Sequence, residues 1–163
     1  MGYVKSFSTG LLLAFALLLG SAAPARAADK VRITGLQTAN FGQLSGFGDR
    51  SISQNVCAYS SSATNGYSVT ATGSGTGGSF ALTSTITELP YEVLWSDSSG
   101  QTSGTSLMSG TRTGGFFTSA AQHFCNSGPS STASLTIVIR STTIESARAG
   151  TYSGVLQIMI APE

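Results

Sequence analysis

Apolar and polar positions alternate with a period of two along most of this chain, and the spacing of an amphipathic helix is nearly absent. Tyr67, Val69 and Ala71 alternate with Ser68, Thr70 and Thr72, which predicts a strand with one buried face. After Pro90, the run Tyr91, Val93, Trp95 alternates with Glu92, Leu94 and Ser96. It holds the single tryptophan, so it is expected to lie on the core. Two longer alternating runs follow: Leu135, Ile137 and Ile139 against Thr136, Val138 and Arg140, then Leu156, Ile158 and Ile160 against Gln157 and Met159. Between them, Thr143 to Arg148 fits one helical turn, and Gly150 with Tyr152 is expected to open the last strand.

Elsewhere the pattern is weaker. Val31, Ile33 and Leu36 begin an extended stretch that runs on through Phe41 and Leu44, with Gly35 and Gly42 at places suited to a bulge or turn. Ile52 to Tyr59 alternates, but neither face is cleanly apolar or polar. Asn65-Gly66 is the strongest turn signal, because both residues tolerate the positive φ that tight hairpins need. Phe80 and Leu82 mark a short strand, and Leu107-Met108 fits a short edge strand. Gly73 to Gly78 and Asp97 to Gly104 read as loops, while Gly114-Gly115-Phe116-Phe117 has no assignable pattern. About seven short strands with regularly spaced turns indicate an all-β fold, an immunoglobulin-like antiparallel β-sandwich; a closed barrel is the alternative.

The first residues bear on compartment. Lys5 precedes the apolar run Leu11 to Leu19, and Ala25-Arg26-Ala27 places small residues where a signal peptidase reads, so residues 1–27 are expected to be a cleaved signal peptide. That run is far shorter than the ~20 residues a spanning helix needs, so no membrane span is expected after signal removal. Residues 28–163 then form one domain, long enough to bury a core. Without Lys5 and Arg26, six basic side chains face seven acidic ones, a formal balance of −1 that gives no electrostatic case for nucleic acid as a partner. Only 9% of residues are charged, against ~25% in an average soluble protein, and polarity comes from Ser, Thr, Gly, Asn and Gln. In an oxidising compartment Cys57 and Cys125 read as one structural disulfide.

No constellation points to an enzyme. His123 is the single histidine and no Gly-x-Ser-x-Gly elbow accompanies it, which leaves a Ser-His-Asp triad without support. The carboxylates are scattered, so no pair suited to glycoside hydrolysis stands out. Asp97-Ser98-Ser99-Gly100 lacks the further carboxylates of a calcium loop, and the glycines of 73–78 are followed by no lysine or helix that would make a phosphate cradle. We therefore expect no catalytic residues, no metal and no cofactor. Phe116-Phe117 is a candidate contact patch for adhesion or subunit docking, with packing beneath a loop as the alternative.

Four segments carry a family likeness: Asn40-Phe41-Gly42; Val56-Cys57 followed by Gly66-Tyr67-Ser68-Val69; Leu89 to Trp95 leading to Asp97; and Ala149 to Gly154 opening the final alternating strand. In their order and spacing the chain resembles the spore coat protein U family, which includes secreted pilin subunits of archaic chaperone-usher pili in Gram-negative bacteria. The resemblance implies a sandwich that lacks its last strand and is completed by a donor strand, first from a periplasmic chaperone and then from the next pilus subunit, with an outer-membrane usher assembling the fibre. It further implies passage through the periplasm to a fimbrium on the cell surface, with Tyr152, Leu156, Ile158 and Ile160 bordering the acceptor groove. One departure stands out, since only Ala28, Asp29 and Lys30 separate the expected cleavage point from Val31. Either Val31 to Leu36 is the donor, or the subunit accepts a strand and donates none, or the domain is self-complete. The competing function is a free-standing secreted or periplasmic binding module that uses loops such as 73–78 and 98–104 as its ligand face.

Overall fold

Strand pairing begins where alternation begins. The computed structural model describes residues 28–45 and 48–163, so the expected leader, 1–27, lies outside the described residues. Strand β1 (Val31–Thr34) pairs antiparallel with the second half of β2 (Arg50–Ser60), from Val31 opposite Ser60 to Thr34 opposite Cys57. The first half of β2 pairs with β9 (Ala133–Ile139), β9 with β6 (Glu92–Ser96), and β6 with the two-residue β7 (Thr105–Ser106). A second sheet places β3 (Gly66–Thr72) between β8 (Arg112–Phe117) and β10 (Gln157–Pro162). A small hairpin, β4 (Ala81–Thr83) with β5 (Glu88–Pro90), completes the strands among the described residues.

The order β1-β2-β9-β6 reproduces the A-B-E-D sheet of an immunoglobulin-like sandwich, and β3-β10 supplies its C and F positions. The chain is thus an all-β antiparallel sandwich, not a closed barrel. Beyond β10, where such a sandwich carries its seventh strand, no strand is paired among the described residues.

The period-two pattern explains the packing. Tyr67, Val69 and Ala71 of β3 face Val93 and Trp95 of β6 and Leu135 and Ile139 of β9 in one cluster, nearly all of it excluded from solvent. Each such side chain contributes about 1.5–3 kcal/mol on burial. Trp95 is the largest of them. Its ring meets Tyr67 edge-on with centroids 6.3 Å apart, and its Nε1–H donates to the Tyr67 hydroxyl at 3.2 Å, so one hydrogen bond crosses between the sheets. Burial pushes the Tyr67 hydroxyl pKa up to about 12 and keeps it a neutral partner.

The mixed faces of β2 have a direct cause. Val56 and Ala58 enter the main core, whereas Cys57, with Tyr59 packed beside it, faces the other side and forms a separate small cluster with Ala120 and Cys125. Cys57 and Cys125 are disulfide-bonded, with Cα atoms 5.9 Å apart, which ties the loop after β8 across the outer face of β2. Hydroxyls serve the same joins, that of Thr132 buried and that of Ser53 at the surface. Thr132 Oγ1 donates to the Ala58 carbonyl and accepts from the Ala58 N–H, and Ser53 bonds Thr136 across the β2–β9 pair at 2.8 Å. A chain poor in charge can bury such groups because each finds a backbone or hydroxyl partner.

Several local expectations shift. Val31 to Leu44 is not one extended stretch: β1 ends at Thr34, Gly35 takes φ +88, and residues 35–45 have no regular structure. Asn65 has φ 57, but Gly66 already belongs to β3, and β2 and β3 lie in different sheets, so the turn is a corner and not a hairpin. The short edge strand lies at Thr105–Ser106, just before Leu107, which is buried, and Met108, which is exposed. The helical turn is α1 (Ser141–Ser146), and the last strand starts at Gln157, after Tyr152. The unassigned Gly114 to Phe117 segment is part of β8.

Candidate functional site

Edge strands β1 and β10 approach each other from opposite sheets without pairing. Between the sheets at this margin lies an open groove of about 1090 Å³. It forms because the chain after β1 leaves β2. Past Gly35, the Gln37 N–H donates to the Gln54 side-chain oxygen (2.9 Å) and the Gln54 side-chain amide donates back to the Gln37 carbonyl (2.8 Å). One side chain therefore does what a backbone ladder does along β1, and the segment 36–44 turns aside to form one wall, with Phe41 and Leu44 packed on the core.

The opposite wall is the run into β10. Leu156 and Ile158 line the groove, while Gln157 and Met159 point outward, Met159 being 69% exposed. Leu135 and Ile137 of β9, with Tyr91, contribute to the lining. Ile144 and Ala147 add the side formed by α1 and the turn after it. Asp49 holds that side in place: it accepts the Ser141 N–H at 2.8 Å and the Arg140 guanidinium at 2.7 Å, and Arg140 also pairs with Glu92. The Ser141 N–H bond first, then Arg140, holds the Asp49 carboxyl below its usual range. The Arg140 hydrogen bond lowers Glu92 likewise.

Of the residues expected at the groove, Tyr152, Leu156 and Ile158 line it. The Tyr152 hydroxyl donates to the Arg148 carbonyl at 2.8 Å, which closes the turn before β10. Ile160 is buried in the core farther along the strand. The second candidate, Phe116-Phe117, splits by strand alternation. Phe116 is 6% exposed and packs on Tyr67 at 5.9 Å between centroids, and Phe117 is 55% exposed on the other face. Of Val31 to Leu36, weighed as a donor, Val31 to Thr34 is paired within its own sheet as β1. Phe41, Leu44, Ile144 and Ala147 went unrecognised as groove residues.

The groove is suited to strand addition. The backbone groups of β10 that point away from β3 have no strand partner among the described residues, and the side chains beneath them are apolar with alternating spacing. An extended segment with apolar residues at every second position would satisfy both. No group of three or more histidine, cysteine or acidic side chains capable of holding a metal occurs among the described residues, and no helix there is long and apolar enough to cross a membrane.

No protein-family model matches the chain, and no curated protein matches it. Among solved structures, it is similar to a chain of the CsuC–CsuE chaperone–tip adhesion subunit pre-assembly complex from archaic chaperone-usher Csu pili of Acinetobacter baumannii. The likeness covers 82% of this chain and 39% of that one, with 20% identity and a TM-score of 0.45.

Proposed function

We propose that this chain is a structural or adhesive subunit of a surface fimbria, completed by a β-segment donated from a partner. A periplasmic chaperone fills the groove first, other pilus subunits replace it, and an outer-membrane usher carries the subunit to the cell surface. The observation that supports this reading is the open apolar groove beside the unpaired edge of β10. An edge of this kind is a liability in a free protein and a docking site in an assembling one. The pairing of Val31 to Thr34 within β1 favours a subunit that accepts a strand without donating that segment.

Co-expression in a Gram-negative periplasm with a chaperone of the chaperone-usher class tests the reading. Recovery of a one-to-one complex, with the chain scarce or aggregated when the chaperone is left out, is the expected result. A stable monomer whose yield ignores the chaperone would instead favour the free-standing binding module.

A further inference from the structure

A second concavity lies at the corner between β2 and β3, lined by residues apart from the groove. Its volume is about 420 Å³, within the ~300–1,000 Å³ range of small-ligand sites. Its lining is unlike theirs, because it holds one aromatic ring, Tyr59, together with Ser60, Ser61, Asn65, Thr118 and Ser119, and no charged side chain.

The corner is held rigidly. Asn65 sits at φ 57, its N–H donating to the Ser62 carbonyl and its own carbonyl accepting the Thr118 N–H at 3.0 Å. The Thr118 hydroxyl donates to the Ala58 carbonyl and accepts the Ala120 N–H, and the Cys57–Cys125 bond fastens the same loop to β2. With the backbone engaged, several side-chain groups stay free. The Tyr59 hydroxyl, the Asn65 carboxamide and the Ser119 hydroxyl make no hydrogen bond among the described residues. Ser61 Oγ accepts the Lys30 N–H at 2.8 Å, which leaves its proton to donate.

We infer that this pocket binds a neutral, hydroxyl-rich ring, a single pyranose unit of an uncharged glycan. The hydroxyls of Tyr59, Ser61 and Ser119 and the Asn65 carboxamide supply both donors and acceptors, as a sugar's vicinal hydroxyls require. The Tyr59 ring, packed on the disulfide cluster and met edge-on by His123 at 6.1 Å between centroids, supplies the apolar surface for the C–H side of the pyranose. An apolar ligand would leave these groups unpaired, and an anionic one would find no cation among the lining residues. The site is independent of strand capture and would operate in a free module or a fibre alike.

The test is saturation-transfer NMR on the exported chain with the methyl glycosides of glucose, galactose, mannose and N-acetylglucosamine, and with glucuronate and sialic acid as anionic probes. At least one neutral glycoside is expected to bind in the millimolar range, with contacts to Tyr59. Asn65→Gly keeps the positive φ and removes the carboxamide, and Tyr59→Ala removes the platform. Each is expected to weaken binding by about tenfold or more, whereas Ile158→Asp in the groove leaves it unchanged. Should Tyr59→Ala fail to fold, Asn65→Gly alone decides. The inference is overturned if no neutral glycoside binds, if Asn65→Gly binds as the parent does, or if the anionic sugars bind more tightly.

Discussion

Replacing Cys57 and Cys125 together by serine is expected to lower the unfolding free energy by about 4 kcal/mol, the chain-entropy value for a bridge between residues 68 apart. Against a total of ~5–15 kcal/mol for a typical domain this is a large share. The location of the bond suggests how the loss would spread. The cluster of Cys57, Ala120 and Cys125 is separate from the main core, so without the bond the loop after β8 is held to β2 chiefly at its start, where the Thr118 hydroxyl donates to the Ala58 carbonyl. Cys125 itself sits at φ 51, a conformation most side chains avoid and one the bridge helps maintain. Urea denaturation followed by Trp95 fluorescence, with and without reductant, measures the difference. A loss below about 1 kcal/mol would mean that the loop packs adequately unaided.

Ile158→Asp is expected to leave the free chain folded and to weaken capture of a donor strand by about a thousandfold. The difference arises because Ile158 is only partly buried in the open groove, so an aspartate there keeps its water. A docked strand would strip that water away and leave an unpaired charge, at a cost of about 4 kcal/mol. Met159→Asp, one residue on and facing outward at 69% exposure, is the control and should bind nearly as the parent does. Isothermal titration of the refolded chain with a partner's donor peptide gives both affinities. Equal losses at 158 and 159 would show that the groove is not where the strand docks.

Sequence pattern revealed the strands whose two faces differ. Val93 and Trp95 are buried between half-buried neighbours as their alternation requires, and Tyr67, Val69 and Ala71 are buried likewise, whereas β9 is buried on both faces, with Thr136 and Val138 more excluded than Ile137. The pattern was silent where a strand's requirements come from a distant residue. The Glu163 carboxylate lies over Gly114 in β8, and Gly115 donates its N–H to the same carboxylate. Two glycines in a row leave no assignable pattern until that partner is known. β2 was blurred by facing two clusters, one on each side, and Asn65-Gly66 looked like a hairpin because nothing local says that β2 and β3 belong to different sheets. The strand period of Leu156 and Ile158 was legible, but that they border a groove was implied only by the family resemblance. The wall at Phe41 and Leu44 was not legible, since it follows a departure from β2 that depends on one contact with Gln54.

Hydrogen exchange along residues 152–162, read residue by residue by NMR on the uncomplexed chain, probes the acceptor edge itself. Amides of β10 directed at β3 should be protected and those directed at the groove should exchange nearly as fast as in an unfolded peptide, becoming protected once a donor segment is added. Uniform protection along β10 before any partner is present would mean that the edge is already satisfied, and the strand-accepting account would be wrong.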